Sequence, residues 1–287
     1  MRVLVLGGGG QVARAMVATA PSKHAVIAKS RSEVDISNPA SVAASLAHAS
    51  VDWIVNAAAY TAVDFAEEQV ASATLANDTA VGVLVAAAAK AGCRLAHLST
   101  DFVFDGNSGR AYLPTDATNP ISVYGRTKLG GERHVIGSRD GIVLRTSWVY
   151  ASAGRNFVLT MLRLMRERDQ LSVVADQIGT PTWATGIARA IWGMIDINAP
   201  AGLYHWTDLG VASWYDFAVA IQEEALSRGL LERAVPITPI ATADYPTRAA
   251  RPRFSVLDTR ATRALIPAMA HHWRQNLRHM LDELRTK

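Results

Sequence analysis

Four consecutive glycines, Gly7 to Gly10, constrain this chain more than any other feature. They follow RVLVL, a continuous apolar run that reads as a strand buried on both faces. They precede QVARAMVATA, which has helical composition up to Pro21. The spacing satisfies G-x-G-x-x-G/A through Gly8, Gly10 and Ala13, and the looser G-x-x-G-x-x-A through Gly7, Gly10 and Ala13. Such glycines let the backbone turn tightly and approach a pyrophosphate at the unpaired N–H groups of a helix start. The alternative is a purely structural turn. No Gly-Lys-Ser/Thr follows, which argues against a P-loop.

The alternation of strand and helix continues. AVIAKS reads as a second strand, and NPASVAASLAHA, opening with Asn38 and Pro39, as a helix. VDWIVNAAA is a third strand, and the Ala-rich segment from about Ala66 to Ala91 a long helix. RLAHLST is a fourth strand, and GIVLRTSWVY a fifth, beyond a helix carrying Tyr124. Continuous apolar strands separated by helices predict an α/β fold: a doubly wound parallel sheet of the Rossmann, dinucleotide-binding kind. After Tyr150 the rhythm loosens. Asn156 to Arg168 reads as an amphipathic helix, LSVVAD as a short strand and Thr182 to Ile195 as a helix. A stretch rich in proline and arginine runs from about Glu232 to Arg253. We expect residues 1–150 with 182–206 to form the dinucleotide-binding domain. Residues 151–181 with 207–287 would form a smaller, mainly C-terminal substrate domain.

Composition removes several function classes. Apolar residues are 49% of the chain and charged ones 19%, as in a globular protein. The 29 basic and 25 acidic residues leave a net charge of only +4, with no dense Lys/Arg block, so no nucleic-acid partner is expected. The longest apolar stretch, Val81 to Ala89, stops at Lys90 and is too short to span a bilayer, so no membrane is expected either. MRVLVLGGGG falls short of a signal-peptide core. Cys93, the single cysteine, excludes an internal disulfide framework and suits a reducing compartment. A cytoplasmic location is therefore expected. The histidines lack metal-ligand spacing, so no catalytic metal is expected; His97 reads as a packed strand residue.

The segment NPISVYGRTKLGGE places Tyr124 and Lys128 one helical turn apart, on one face. HLSTDFVF places Ser99, Thr100 and Asp101 at the carboxyl end of the fourth strand, where an open parallel sheet has its ligand crevice. A ketone reduction needs a hydride donor, a proton donor and a group to hold the carbonyl oxygen. Tyr124, tuned toward working pH by Lys128, can supply the proton, and Thr100 can hold the oxygen. AKSRSEVDIS closes the second strand with Lys29, Ser30 and Arg31 before the first acid, Glu33. That order predicts NADPH over NADH, with Arg31 on the 2′-phosphate and Ser30 assisting. A solvated basic loop is the competing reading.

Tyr124-x-x-x-Lys128, the upstream Ser99/Thr100 and the glycine run together resemble the extended short-chain dehydrogenase/reductase superfamily. VNAAAYTAVDFAE, STDFVFDG, VYGRTKLGGE, RTSWVYA, NFVLTMLRL, DQIGTPT and YPTRAARPRFSVLD resemble, in order, its dTDP-4-dehydrorhamnose reductase family. The resemblance implies reduction of the C4 keto group of dTDP-4-dehydro-L-rhamnose by NAD(P)H, the last step of dTDP-rhamnose synthesis. It implies that Tyr124, Lys128 and Thr100 are catalytic, with Asp101 and Trp148 also on the sugar nucleotide. Lys128 would hold the nicotinamide ribose. The cofactor would run along Gly7, Gly10, Gln11, Val12, Ser30, Arg31, Asp35, Ile36, Ala57, Ala58, Ala59, Tyr60, Thr61 and Leu98, to Tyr124 and Lys128. Asp64 and Glu67 read as capping or solvating the helix after NAAAYT. Arg248, Arg251 and Arg253 either meet a diphosphate or solvate a loop. Some family members carry a magnesium-linked homodimer contact through glutamates near the C-terminus; the MLDELRTK tail has Asp282 and Glu283, and whether they form it stays open, as do Mg²⁺ and a homodimer. Two rival readings are another extended-family epimerase or dehydratase, and a non-catalytic NADP-binding regulatory subunit of methionine adenosyltransferase. Phe102 after Asp101, where dehydratases carry Glu, argues against the dehydratase; the intact Thr100, Tyr124 and Lys128 set argues against the regulatory subunit.

Overall fold

Alternate residues of the first strand explain the layering. The computed structural model describes residues 1–47, 50–266 and 269–285. Val3 and Val5 of β1 (Arg2–Leu6) belong to the core on one face of a sheet, and Leu4 and Leu6 to the core on the other. The sheet continues through β2 (Ala25–Lys29), β3 (Trp53–Asn56), β4 (Arg94–Thr100), β5 (Gly141–Thr146) and β6 (Gly202–His205). Its order is β6-β5-β4-β3-β1-β2, and every pair is parallel. The chain thus steps outward from β1 to β2, then returns to the far side of β1 as β3. That reversal opens a crevice above the carboxyl ends of β1 and β3.

The principal helices are α1 (Gln11–Ala18), α2 (Pro39–Ala47), α3 (Val70–Ala91), α4 (Val123–Ile136), α5 (Phe157–Glu167), α6 (Ala184–Asp196), α7 (Trp214–Leu226) and α8 (Trp273–Arg285). Met16 of α1 and Ile187, Ile191 and Trp192 of α6 pack on Trp53, Val55 and Leu144. On the opposite face, Val42, Val81, Leu84 and Val135 from α2, α3 and α4 cover Leu4, Leu6, Ile54 and Val143. By length and composition alone α3 could cross a bilayer. In the fold its Val81, Leu84 and Ala88 are buried in the second of these layers, and 28% of its apolar window is buried in all. A separate core gathers Met161 and Met165 of α5, Phe217 and Ile221 of α7, and Leu277 and Met280 of α8.

Several boundaries differ from the sequence expectation. The helix predicted from Ala66 begins instead as an isolated turn, Val63–Ala66, before α3. Within α3, Leu75–Thr79 is a π-turn, and its Asn77 is 1% exposed. Such turns cluster at functional sites because they re-aim one side chain. The fifth predicted strand ends at Thr146: Trp148 adopts φ +46° and breaks the ladder before Val149–Tyr150 pairs with Thr182–Trp183. That pairing also moves the start of α6 from Thr182 to Ala184. β6, α7 and α8 were not anticipated. The end of the helix predicted after Pro39, residues 48–49, lies outside the described residues.

Candidate active site

Gly7 ends β1 at φ +88°, and a Cβ there would lie 2.7 Å from the Ala58 nitrogen. Only glycine lets the ends of β1 and β3 meet this closely. A Cβ on Gly9 would have nothing within 4 Å, and Gly10 caps α1 without a side-chain bond to its first-turn N–H groups. Open space, free donors and the positive end of a helix dipole suit a pyrophosphate. Gln11 Oε1 accepts from Asn156 Nδ2 at 3.0 Å, tying this turn to the cap of α5. Val12 is buried in the core, so only its backbone is available to a ligand.

The end of β2 is arranged differently from the sequence expectation. Glu33 folds back so that its carboxylate accepts the Ser30 N–H and hydroxyl, both at 2.8 Å, while Lys29 approaches it at 3.1 Å. The bond from the Ser30 backbone leads in holding Glu33 down at about 2. Arg31 is exposed, and its charge helps to lower Asp35. Asp35 accepts from the Ser37 N–H and hydroxyl, and Ile36 packs half-buried near Val42. Ala57, Ala58 and Ala59 are half-buried, while Thr61 is exposed. Tyr60 is gripped through its backbone: its N–H reaches Asn77 Oδ1 at 2.8 Å and its carbonyl accepts from Asn77 Nδ2 at 3.0 Å.

Helix α4 is fixed at both ends of the Tyr124–Lys128 turn. Ser122 Oγ accepts the Gly125 N–H at 3.1 Å, and Glu67 Oε1 accepts the Val123 N–H at 2.8 Å. Glu67 therefore caps α4, not the helix that follows NAAAYT. Asp64, in the first turn of Val63–Ala66, pairs with Arg251 at 2.6 Å and keeps a partly exposed carboxylate. Arg248 pairs with Glu68 at 2.8 Å. A Cβ on Gly125 would lie 2.2 Å from the Phe102 oxygen, and one on Gly131 2.2 Å from the Asn77 oxygen. The helix is pressed against both backbones. Asn77 Nδ2 also donates to Thr127 Oγ1 at 3.2 Å.

Against this wall the chemistry-bearing groups converge. Lys128 is 2% exposed, and its Nζ lies 2.6 Å from the Leu98 carbonyl and 3.3 Å from His97 Nε2. Thr100 Oγ1 lies 3.0 Å from Asp101 Oδ1, accepts the Phe102 N–H at 3.2 Å and stands near the Tyr124 phenol. Its one proton can serve only one of the two side-chain oxygens at a time. Phe102 meets the Tyr124 ring edge-on, centroids 5.6 Å apart. Burial pushes the phenol up to about 12; the Thr100 hydroxyl opposes this, and the Asp101 charge adds to it. The sequence expectation was that Lys128 would pull this phenol down. Lys128 is not among the groups that move the phenol: the amine is engaged with Leu98, and burial lowers Lys128 itself to about 8. A phenol near 12 holds its proton at working pH, which is the form a proton donor needs. Burial likewise raises Asp101 to about 6, against the bond from Thr100, and its Oδ2 is buried without a hydrogen-bond partner.

Trp148 stands on the other core. Its ring stacks on Trp214 at 3.5 Å with 4° between planes, and a Cβ on Gly179 would meet it at 2.6 Å. A non-glycine residue at positive φ costs about 1–3 kcal/mol and persists only where its surroundings hold it. Here Trp214 and Gly179 do so. Asn56, His97, Asn77 and Trp214 carried no local sequence signal strong enough to single them out for a role here. Among the described residues, no group of three or more His, Cys, Asp or Glu could hold a metal ion.

A glycine turn at a sheet reversal, with a Tyr-x-x-x-Lys helix beside a threonine-ended strand, defines a dinucleotide-dependent oxidoreductase of the extended short-chain dehydrogenase/reductase class. The RmlD substrate binding domain family matches residues 1–286. A curated dTDP-4-dehydrorhamnose reductase from Aggregatibacter actinomycetemcomitans is 40% identical, covering 97% of this chain and 98% of its own. The crystal structure of a Clostridium acetobutylicum dTDP-4-dehydrorhamnose reductase superposes with TM-score 0.93 at 35% identity, covering 99% of this chain and 100% of that one. The Bacillus anthracis reductase, solved in complex with NADP, gives TM-score 0.93 at 31% identity over 98% of this chain and 99% of its own. The chain belongs to the dTDP-4-dehydrorhamnose reductase family.

Proposed function

We propose that the protein reduces the C4 keto group of dTDP-4-dehydro-L-rhamnose to give dTDP-L-rhamnose, using NADPH in preference to NADH. The observation that carries this reading is the convergence of Thr100, Tyr124 and Lys128 beside a glycine cradle that side chains leave clear. The sheet half would hold the dinucleotide along Gly7 to Val12 and Ala57 to Thr61. The C-terminal helices, with Trp148, would hold the sugar nucleotide. When bound, NADPH supplies the hydride. Thr100 and Tyr124 then hold the substrate oxygen, and the phenol passes its proton to that oxygen as negative charge develops there. Lys128 lies one turn behind, where its amine can hold the ribose and, once charged, steady the phenolate.

The direct test is NADPH oxidation with dTDP-4-dehydro-L-rhamnose made in place from dTDP-glucose by the preceding dehydratase and epimerase. Turnover giving dTDP-L-rhamnose is expected; its absence with cofactor bound sinks the proposal. Run with both cofactors, the same assay tests Arg31. Losing one charge-assisted phosphate bond should lower kcat/KM for NADPH in Arg31→Ala by about 10- to 100-fold. NADH turnover should barely change. An equal loss with both cofactors would remove Arg31 from the 2′-phosphate.

A further inference from the structure

The hydrogen bonds beneath Lys128 do not balance if its amine is charged. Asn56 is fully buried at the end of β3, and a backbone donor fixes its amide: Oδ1 accepts the Ala58 N–H at 3.1 Å. Its Nδ2 therefore faces His97 Nδ1, 3.0 Å away. An amide nitrogen only donates, so His97 Nδ1 must accept, and a neutral ring then carries its one proton on Nε2. That N–H faces Lys128 Nζ at 3.3 Å. An ammonium has three N–H groups and no lone pair, so two donors would confront each other. A neutral amine resolves this by accepting from Nε2–H while donating to the Leu98 carbonyl at 2.6 Å. Rotating the Asn56 amide would not help, because its NH₂ would then face the Ala58 N–H.

We infer that Asn56 and His97 are positioning residues for Lys128, favouring its neutral amine over the ammonium until a ligand offers acceptors. The inference deepens the proposed reduction and rests on the role given there to Lys128. Asn56 selects the ring tautomer, and His97 presents the donor. Lys128 can become an ammonium only by leaving His97, so its charge is coupled to the arrival of a ligand offering acceptors.

The charged and titratable groups around Lys128 leave this arrangement intact. Glu132, one turn along α4, acts to raise the lysine but is committed to Arg145 of β5 by two bonds, at 2.8 and 2.7 Å. Tyr124 lies one turn before, and Asp101 stands beyond the end of β4, next to Thr100. Asp78 of α3 is bonded to His134 at 2.8 Å. Burial, the leading cause, drives His97 well below the usual histidine range, which agrees with a neutral ring.

Two measurements on cofactor-free protein test the inference without substrate. Long-range ¹H–¹⁵N correlation of His97 should show a neutral ring protonated at Nε2 at about pH 9, above the value of about 8 to which burial lowers Lys128. A proton on Nδ1, or an imidazolium, overturns it. The Lys128 midpoint can be followed by pH-dependent competitive acylation and mass spectrometry, in wild type and in His97→Leu. If His97 donates to the amine, its loss removes a bond that favours the neutral form, and the midpoint rises by about one unit. If His97 accepts from an ammonium, the midpoint falls. An unchanged or lowered midpoint therefore refutes the inference, and the wild-type tautomer remains decisive should the variant misfold. A merely structural role would move neither reading. Failure of the sugar to turn over would leave both standing.

Discussion

Tyr124→Phe is expected to lower kcat by about 10²- to 10⁴-fold, the range for loss of a positioned general acid. Phenylalanine keeps the ring that meets Phe102 edge-on and deletes only the hydroxyl near Thr100. The Ser122 and Glu67 caps hold α4 through backbone N–H groups, so the helix should not shift. NADPH affinity, measured by fluorescence titration, should stay within a few-fold. Thr100 would still contact the substrate oxygen, so residual turnover should remain. Wild-type kcat in this variant would show that the proton comes from another group. Loss of NADPH binding alongside kcat would show instead that the phenol helps build the cofactor site.

The second large effect is on stability. Glu132→Ala is expected to cost about 3–5 kcal/mol, because it leaves a buried guanidinium without its counter-charge. Glu132 is fully buried and Arg145 2% exposed, joined by two parallel bonds. No neighbour can take over. His205, 3.5 Å from Arg145 Nη1, is held down at about 3 by burial first and the arginine charge second, so it stays neutral. Phe104 lies under the guanidinium at 5.0 Å and offers a ring face, not a carboxylate. Urea unfolding would read the loss directly. Replacing both partners by apolar residues, Glu132→Leu with Arg145→Met, should recover most of it, since the penalty comes from the unpaired charge. A loss under about 1 kcal/mol in the single variant would mean that water reaches Arg145.

What could be read from the sequence was what the chain encodes locally. The Gly7–Gly10 turn lies between one strand and one helix, and Tyr124 and Lys128 are separated by a single turn. Period and spacing reach that far. Bonds joining distant positions left no such trace. Asn56 meets His97 across 41 residues, and His97 meets Lys128 across 31. His97 was read as a packed strand residue, and it is buried, yet its ring nitrogens face two polar partners. Nor does any pattern announce that Trp214 stacks on Trp148, or that Trp148 leaves its strand at positive φ. At the end of β2 the order of residues was legible but their folding was not, because Glu33 curls back onto Ser30.

The glycines along α4 carry a consequence for how such a protein can change over generations. Methyl groups at Gly125 and Gly131 would collide with carbonyl oxygens that cannot retreat without moving the chains behind them. The flank bearing the proton donor is thus expected to tolerate no side chain at either position. The paired indoles contact side chains and one glycine, so substitutions there need not disturb the bond-making atoms, provided the backbone at Trp148 stays supported. New acceptor specificity would be expected to arise there, leaving the reaction itself inherited unaltered.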